Sequence, residues 1–539
     1  MANTMPDMRA QPAGWTVNSL ERLFRKSRFF QWQLATHDAV ELRAGLLDHW
    51  RGSATTGSAI LADTSTHLSA RPGFHGFAWL RDLRAFGGSQ ARTAARNAVD
   101  DWLAANGAWH AEIWQPDLMG DRLTNLAVNY GWYGESATAA FQTRLAHSLS
   151  VQAKCLALDW RRMTSVTAKL RALRGLASAE AMLGSTPDQM TALLDLAIPI
   201  VQSVLNPDGG HISRMPDRHL TTLRYLIELR TAAAFAGVPA DSRLEDVITR
   251  MGTICRMWRN ADGQLAHFNG GGTHSREQVE ETLVRAGPRG KVLQQAPYTG
   301  FLRFSSGRST IVLDAGSPAP TAADDDGERR ISGFGTLSFE FNVGQTPFVV
   351  NAGQTANDPQ FNRLLCSTSA HSTLALDDQN SSDPGANRIA QISGVEVGPA
   401  TGGILAEASH DGYEASHGII HHRQVFLATG GGNLRGSDRL EYTGAPGEIP
   451  RQGVIRFHLH PKVSAAMLGN GRVLMKIRGN RAGWIFKAAN AAVSLDSSVY
   501  FENGVRHSCQ QIVLRTPLNS IRSVGEHLVR WAFQRNDPT

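Results

Sequence analysis

The hydrophobic period of this 539-residue chain changes once, near residue 290. Up to that point apolar residues recur every three or four positions, as they do on one face of an α-helix. Beyond residue 295 they alternate with polar residues, as in half-buried β-strands. The pattern therefore predicts a helical N-terminal half and a strand-rich C-terminal half.

Helix-start signals recur in the N-terminal half. Thr186, Pro187 and Gln189 form the pattern of an N-cap, a proline at the first helical position and a capping-box glutamine. Ser242 and Glu245 repeat the capping-box spacing before another amphipathic run. Many helices joined by short turns pack as antiparallel hairpins, so the number of helices predicts an array or toroid.

Short strand patterns fill the C-terminal half. In residues 337–343 (LSFEFNV) the apolar side chains face one way, while Ser338, Glu340 and Asn342 face the other. Residues 455–461 (IRFHLHP) repeat this alternation. Numerous strands without intervening helices are typical of an antiparallel sandwich.

These patterns predict an α+β multidomain chain, in which an N-terminal (α/α) toroid of helical hairpins precedes a C-terminal antiparallel β-sandwich. The predicted boundaries are a lead-in at 1–35, the toroid at 36–288 and the sandwich at 289–539.

The composition excludes several classes of protein. Apolar residues make up 42% of the chain, which is typical of a globular protein and not of a disordered one. No apolar run reaches the roughly 18–20 residues of a membrane-spanning helix. The four cysteines lack CxxC spacing, as expected of reduced thiols. The first residues show no apolar signal core, so we expect a cytoplasmic protein, with the periplasm or cell envelope as the alternative.

A loop between two predicted helices is the first candidate for chemistry. Residues 206–219 place His211 after a double-glycine turn, with Arg214 three residues further on. Glycines allow a ligand to approach the backbone closely, and loops at one rim of a helical array are common binding positions. A structural role explains His211 equally well.

Two further candidates lie in the C-terminal half. His371 stands among small hydroxyl residues just before a predicted strand, and Tyr413 stands between acidic and imidazole groups. A tyrosine with its ordinary pKa of about 10 is a poor base unless nearby cations stabilise the phenolate.

Segments along most of the chain resemble, in the same order, the heparinase II/III-like polysaccharide lyases. The matching segments of the C-terminal half are residues 296–316, 335–354, 363–373, 410–425 and 457–461. Those of the helical half are residues 114–126 and 207–216.

The resemblance implies cleavage of a uronic-acid polysaccharide, such as a glycosaminoglycan, by β-elimination. In this reaction the proton on C5 is barely acidic while the neighbouring carboxylate keeps its charge. The site must therefore neutralise the carboxylate, supply a base for C5 and give a proton to the leaving O4.

By the same resemblance, His211, Tyr413, His371 and Arg214 are the catalytic candidates, with His211 and Tyr413 expected to transfer protons. The expected substrate contacts are Asn125, Trp114, Arg122, Tyr298 and Arg363. His371 matches a histidine that ligates a metal in metal-containing relatives.

Two departures from the family pattern change these expectations. Many relatives carry an HxHxD-type stretch before the LSFE strand, but here Ile331 and Gly333 take the histidine positions and Gly335 the acidic one. We therefore predict no metal and no other cofactor. Gly210 stands where many relatives carry the neutralising asparagine, so Arg214 is the candidate replacement.

Three functions stay open at this stage, and the leading one is a lyase that acts on an acidic poly- or oligosaccharide. A glycoside hydrolase needs two carboxylates about 5–10 Å apart, and the available ones are Glu112, Asp117, Asp208 and Asp217. The third is a non-catalytic carbohydrate-binding or envelope-related protein on a decayed lyase fold. We expect no nucleic-acid partner and no membrane span, and the oligomeric state is left open.

Overall fold

The computed structural model describes residues 15–35, 41–62, 73–288, 290–319, 333–355, 358–444, 448–480 and 482–536. Its secondary structure confirms the predicted change from helices to strands, since the last helix of the N-terminal half ends at Arg285 and the first strand begins at Gln295. No helix in these ranges is long and apolar enough to cross a membrane.

Twelve helices precede the strands in the described residues. They are α1 (Ser19–Lys26), α2 (Arg28–Leu34), α3 (Ala54–Ala62), α4 (Trp79–Phe86), α5 (Gly88–Asn106), α6 (Pro116–Tyr133), α7 (Ala139–Asp159), α8 (Val166–Leu183), α9 (Pro187–Gln202), α10 (Pro216–Phe235), α11 (Ser242–Trp258) and α12 (Arg276–Arg285). Thr186 and Gln189 form the predicted capping box of α9, with Pro187 in its first turn.

The crossing of α6 and α8 is close enough to require glycine. A Cβ atom on Gly120 would lie 2.2 Å from the Arg171 carbonyl oxygen, and one on Gly175 would lie 2.3 Å from the Gly120 Cα. Beside this crossing Arg171 pairs with Asp117 at 2.9 Å, so the two helices are joined by ionic contacts as well as by backbone packing.

Seventeen strands and three short helices follow in the described residues. The strands are β1 (Gln295–Ala296), β2 (Phe301–Ser306), β3 (Ser309–Asp314), β4 (Phe339–Val343), β5 (Thr346–Val350), β6 (Leu374–Leu376), β7 (Ile392–Ala400), β8 (Gly403–Tyr413), β9 (Ile419–Ala428), β10 (Asn433–Tyr442), β11 (Gln452–Leu459), β12 (Val463–Met467), β13 (Val473–Ile477), β14 (Gly483–Ala489), β15 (Ala492–Glu502), β16 (Val505–Pro517) and β17 (Glu526–Asn536). The helices are α13 (Pro359–Leu365), α14 (Glu414–His417) and α15 (Ile521–Val524).

The strands form two antiparallel sheets with an apolar core between them. The first sheet has the order β1-β2-β3-β4-β5-β11-β16-β15, with β6 also paired to β11, and the second has the order β12-β13-β14-β17-β10-β9-β8-β7. Phe339 and Phe341 of the first sheet pack with Trp531 and Phe533 of the second. The predicted antiparallel sandwich is thus confirmed. The helices α1–α12 form the predicted helical N-terminal half.

The polar face of β4 is buried as well, which the alternating pattern alone did not predict. Glu340 accepts hydrogen bonds from the main-chain N–H of His267 at 2.8 Å and from the Asn260 side chain at 3.0 Å. Burial raises the pKa of Glu340, an effect that His267 and these hydrogen bonds only partly offset. A segment that follows α11 therefore covers the outer face of this strand.

Contact density divides the described residues into two compact units. The first comprises residues up to Val204 together with Thr222–Ile248, and the second comprises Leu205–Thr221 and everything described from Thr249 onward. The predicted boundary at 288 follows the change in secondary structure. The division into compact units differs from that boundary, since the His211 loop and the segment after α11 belong to the same unit as the strands.

Candidate active site

His211 lies in the loop between α9 and α10, held by a β-bridge between Leu205 and His211. Its buried ring accepts a hydrogen bond at Nδ1 from the main-chain N–H of Ser213 at 3.1 Å. Because a main-chain N–H only donates, Nδ1 carries no proton in this arrangement. The neutral ring therefore holds its proton on Nε2, which makes His211 a hydrogen-bond donor at that atom.

Arg214 makes internal contacts with every part of its guanidinium group that the hydrogen bonds describe. Its guanidinium donates to the carbonyl oxygens of Thr299 and Ser317, each at 2.8 Å, and to that of Gly300 at 3.1 Å. The same group pairs with the buried Asp314. These contacts fix the His211 loop to β2 and β3 and leave the guanidinium buried, so the structure favours a structural role over neutralisation of a substrate carboxylate.

Gly210 also has a structural explanation. A Cβ atom at this position would lie 1.9 Å from Thr299 Oγ1. Thr299 is held there because its main-chain N–H donates to Asp208 at 2.8 Å. The space that a longer residue would need is therefore occupied by a side chain of this protein.

Asn269 is a site residue that the sequence reasoning missed. It lies in a glycine-rich loop after α11, is buried at a φ of +55°, and donates from Nδ2 to the Arg214 carbonyl oxygen at 3.0 Å. A Cβ atom on Gly333 would lie 3.2 Å both from Asn269 Oδ1 and from His371 Nε2. Asn269 and His371 thus border one small space, and the run of three glycines after Asn269 was the available signal.

The hydrogen bonding of His371 defines its protonation state. Nδ1 is 2.8 Å from the Ser367 carbonyl oxygen, which only accepts, so Nδ1 carries the proton. Burial lowers the pKa of His371 to about 4, an effect that the Ser367 bond only partly offsets. At neutral pH the ring is therefore uncharged, and its Nε2 lone pair faces the space beside Gly333.

The residues present do not fit the metal site of metal-containing relatives. A Cβ atom on Gly335 would lie 2.4 Å from Cδ2 of His371, so the imidazole occupies the place of an acidic ligand there. Ile331 lies outside the described residues. Among those described, no three His, Cys, Asp or Glu side chains converge in a way that could hold a metal ion.

Tyr413 is part of the sandwich core. Its hydroxyl donates to the carbonyl oxygen of Leu374 at 3.0 Å and to that of Gln379 at 3.3 Å. Burial raises the pKa of Tyr413 well above its ordinary value. As placed, this phenol can neither reach a sugar nor act as a base, so the structure favours a packing role and we give it none in the reaction.

Three of the expected substrate contacts lie on or before α6 and are buried. Arg122 donates to Gln152 at 2.6 Å and lies over the Trp102 ring, and the Trp114 indole donates to the Asn106 carbonyl oxygen at 3.3 Å. Asn125 donates to the Gly76 carbonyl oxygen at 2.8 Å. These contacts explain the three residues without a ligand, and their sugar-binding roles stay predictions.

Tyr298 and Arg363 are the two expected contacts that are exposed. Tyr298 adjoins the His211 loop, because its main-chain N–H donates to Asp208 at 3.0 Å. Arg363 lies on α13, a few residues before His371. Both remain available to bind a substrate.

The carboxylates available to a hydrolase are largely committed to internal contacts. Asp117 pairs with Arg171, and Asp208 accepts main-chain hydrogen bonds from Tyr298 and Thr299. Asp217 accepts one from the Thr273 main chain at 2.6 Å. Since a hydrolase needs one carboxylic acid and one carboxylate facing the same sugar, the geometry does not favour hydrolysis.

A cavity of about 360 Å³ opens on the outer face of the second sheet. Its lining includes Phe426, Arg435, Lys487 and Arg530, but no histidine or carboxylate. This surface is cationic and holds neither of the two histidines that the sequence predicts for the site, so we do not place the reaction there.

Comparisons with known proteins agree with this architecture. Residues 288–532 match the family Heparinase II/III-like, C-terminal. The heparan sulfate lyase HepC from Pedobacter heparinus superposes with a TM-score of 0.59 at 15% identity, over 87% of this chain and 77% of that one. A structure of heparinase III superposes with a TM-score of 0.64 at 12% identity, over 95% of this chain and 89% of that one.

These superpositions show that the chain has the same toroid-and-sandwich fold as the two lyase structures. The match to the heparinase II/III-like family covers the sandwich part of the chain, residues 288–532. The predicted family resemblance is therefore confirmed.

A bacterial protein whose name does not describe a lyase is also similar to this chain. FtsZ-localized protein C from Caulobacter vibrioides (strain NA1000 / CB15N) is 28% identical over 485 residues, which cover 86% of this chain and 81% of that protein. The similarity extends through the helical half as well as the sandwich.

Proposed function

We propose that this protein is a carbon–oxygen lyase that cleaves a uronic-acid-containing poly- or oligosaccharide by β-elimination, with His371 as the base that takes the C5 proton. The observation that carries the proposal is the fixed tautomer of His371, whose Nδ1–H is committed to Ser367. Its lone pair therefore lies on Nε2, and both this atom and Asn269 Oδ1 lie 3.2 Å from the position of a Cβ atom on Gly333.

Burial keeps His371 in the unprotonated form that a general base needs. A general base has to be unprotonated when the substrate arrives, and a ring with a pKa of about 4 is unprotonated throughout the neutral range. Asn269 Oδ1 and His371 Nε2 are both acceptors, so the space that they border suits a donor such as a sugar hydroxyl.

The remaining tasks of the reaction fall to His211 in this proposal. A histidine in this loop can stabilise the substrate carboxylate or pass a proton toward O4, and the loop is joined to the Asn269 segment by the hydrogen bond from Asn269 to the Arg214 carbonyl oxygen at 3.0 Å. Arg214 cannot take over that task, because its guanidinium is committed to Asp314 and three carbonyl oxygens.

The test is ultraviolet absorbance during incubation with uronate polymers and their oligomers, because β-elimination leaves a C4–C5 double bond conjugated to the carboxylate. We expect a rising signal that His371→Ala abolishes. His417→Ala is the matched control, since this buried histidine also bonds a carbonyl oxygen, that of Glu448 at 2.7 Å, through Nδ1. An unchanged rate in the His371 variant refutes the assignment, and new reducing ends without absorbance indicate hydrolysis.

A second candidate is a non-catalytic carbohydrate-binding or envelope-related protein that localises with FtsZ. Two observations support it: the guanidinium of Arg214 is bonded within the protein, and Thr299 fills the space beside Gly210. The name of the Caulobacter relative supports it as well. We propose a cytoplasmic location under either function. The absence of product from every polymer, with sugar binding retained and a fluorescent fusion that follows FtsZ, would favour this candidate over the lyase.

A further inference from the structure

The first two helices present an outward apolar face, which we call the α1–α2 face. Its members are Leu20 (80% exposed), Leu23 (69%), Phe24 (46%), Phe29 (56%) and Trp32 (61%). Leu20, Leu23 and Phe24 share one side of α1 because they are three and four positions apart. Phe29 packs on both Phe24 and Trp32, with ring centroids 6.4 and 6.1 Å apart, so the two helices form one continuous surface.

The opposite side of these helices is firmly attached to the first compact unit. Arg25 is buried and donates two hydrogen bonds of 2.6 Å, one to each carboxylate oxygen of Asp159 at the end of α7. Phe30 and Leu34 are buried on the same side. The helices therefore cannot turn the exposed residues inward without breaking a buried bidentate ion pair, so the outward direction of the α1–α2 face is a feature of the fold.

The charges beside this face are of one sign. Arg22, Lys26 and Arg28 are exposed, and no ion pair within the described part of the chain includes them. Glu21, the one acidic residue of residues 15–35, bonds Arg25 at 2.9 Å and also pairs with Arg162. An apolar stripe on a short helical pair flanked by cations is the pattern of segments that lie in the interface of an anionic membrane.

We propose that the α1–α2 face binds the surface of an anionic lipid bilayer. Its apolar side chains enter the boundary between headgroups and acyl chains, while the cations contact the lipid phosphates. A second copy of the chain is a poorer occupant, because a two-fold symmetric contact would bring Arg22, Lys26 and Arg28 toward the same cations of the other copy. Binding of this kind needs no membrane-spanning helix, and it is independent of the lyase proposal.

The test is co-sedimentation of the full-length protein with vesicles of phosphatidylcholine alone and with vesicles that also contain phosphatidylglycerol. We expect binding to the anionic vesicles only, and weaker binding at high salt. Leu23→Ser with Phe24→Ser should lower the partition coefficient at least tenfold, from the area removed. Val284→Ser is the matched control for the loss of an exposed apolar side chain, because Val284 (70% exposed) is as exposed as Leu23 but lies on α12.

Charge and folding are tested separately. Replacing Arg22, Lys26 and Arg28 by glutamine should weaken binding about fivefold per residue, from roughly 1 kcal/mol per cation near an anionic surface. The glutamine variants should unfold at the temperature of the unmodified protein, since their side chains are exposed. A lower unfolding temperature of the Leu23 and Phe24 variant would report the contact of Phe24 with the buried Phe30, whose ring centroid is 5.4 Å away. Failure to bind anionic vesicles, or equal binding by the Leu23 and Phe24 variant, overturns the proposal. A concentration-dependent dimer that the same variant abolishes, without vesicle binding, assigns the face to a second copy instead.

Discussion

Replacement of Arg214 by alanine separates a structural from a substrate-binding role at the position where the sequence suggested a carboxylate contact. The guanidinium serves Asp314 and three main-chain carbonyl oxygens, so the substitution leaves Asp314 buried without its cation. Breaking a buried pair by removing one partner costs about 3–5 kcal/mol. The second compact unit holds about 300 residues, for which that loss lowers the midpoint of thermal unfolding by about 5–8 °C.

The loss should depend on pH in a direction that the structure defines. Burial already raises the pKa of Asp314, and Arg214 partly offsets that effect. Without Arg214 the pKa rises further, and a carboxyl with a raised pKa loses stability as the pH increases through its folded-state value. The difference between the variant and the unmodified protein should therefore be largest at neutral pH and should shrink toward pH 4.

The assay is urea and thermal unfolding at several pH values, with binding of carboxylated and neutral oligosaccharides measured in parallel. Arg214→Ala combined with Asp314→Ala should be less destabilised than Arg214→Ala alone, because no unpaired charge is then buried. We expect the folded Arg214 variant to bind both kinds of sugar like the unmodified protein. A variant with an unchanged unfolding midpoint and selectively weaker binding of carboxylated sugars would refute this reasoning and restore Arg214 as a substrate contact.

Three further predictions concern single positions. Gly210→Ala should cost about 1–3 kcal/mol in urea unfolding because its Cβ meets Thr299, and Thr299→Ala should recover part of that loss; an unchanged midpoint contradicts the crowding. Tyr413→Phe should cost about 1 kcal/mol for the lost hydroxyl bonds and leave the rate of product formation unchanged, whereas a large fall in rate at full stability would return Tyr413 to the reaction. Burial lowers the pKa of both His219 and His458 to about 4, while unfolded histidines titrate near 6.5. Each histidine therefore lowers the free energy of unfolding by about 1.4 kcal/mol for every pH unit between pH 6.5 and pH 4, because only the unfolded chain takes up the proton there. Urea midpoints that do not change over this range would contradict the prediction.

The sequence predicted the fold more completely than the site, because the two depend on contacts of different range. Helix caps such as Thr186 with Gln189, and the alternation around Phe339, are set by neighbours within a few residues, so they are visible in a single sequence. The guanidinium of Arg214 is held by Asp314, which is one hundred positions away in the sequence. The hydroxyl of Tyr413 is held by a main-chain carbonyl oxygen of β6. The periodicity of apolar residues contains no information on such long-range contacts. Asn269 was missed for the same reason, since only the folded chain brings it next to His371.

Gly210 and Gly335 show why the chemistry of this protein has to be argued from its own residues. At both positions the family resemblance expects a functional side chain, and at both a neighbour of this chain occupies the space, Thr299 in one case and His371 in the other. Restoring an asparagine at 210 or an aspartate at 335 would first have to displace that neighbour, so neither substitution alone should recreate the family arrangement. In the second case the occupying group is itself an uncharged imidazole with an oriented lone pair. This oriented lone pair is why we propose His371, and not a residue at 210 or 335, as the base of the elimination.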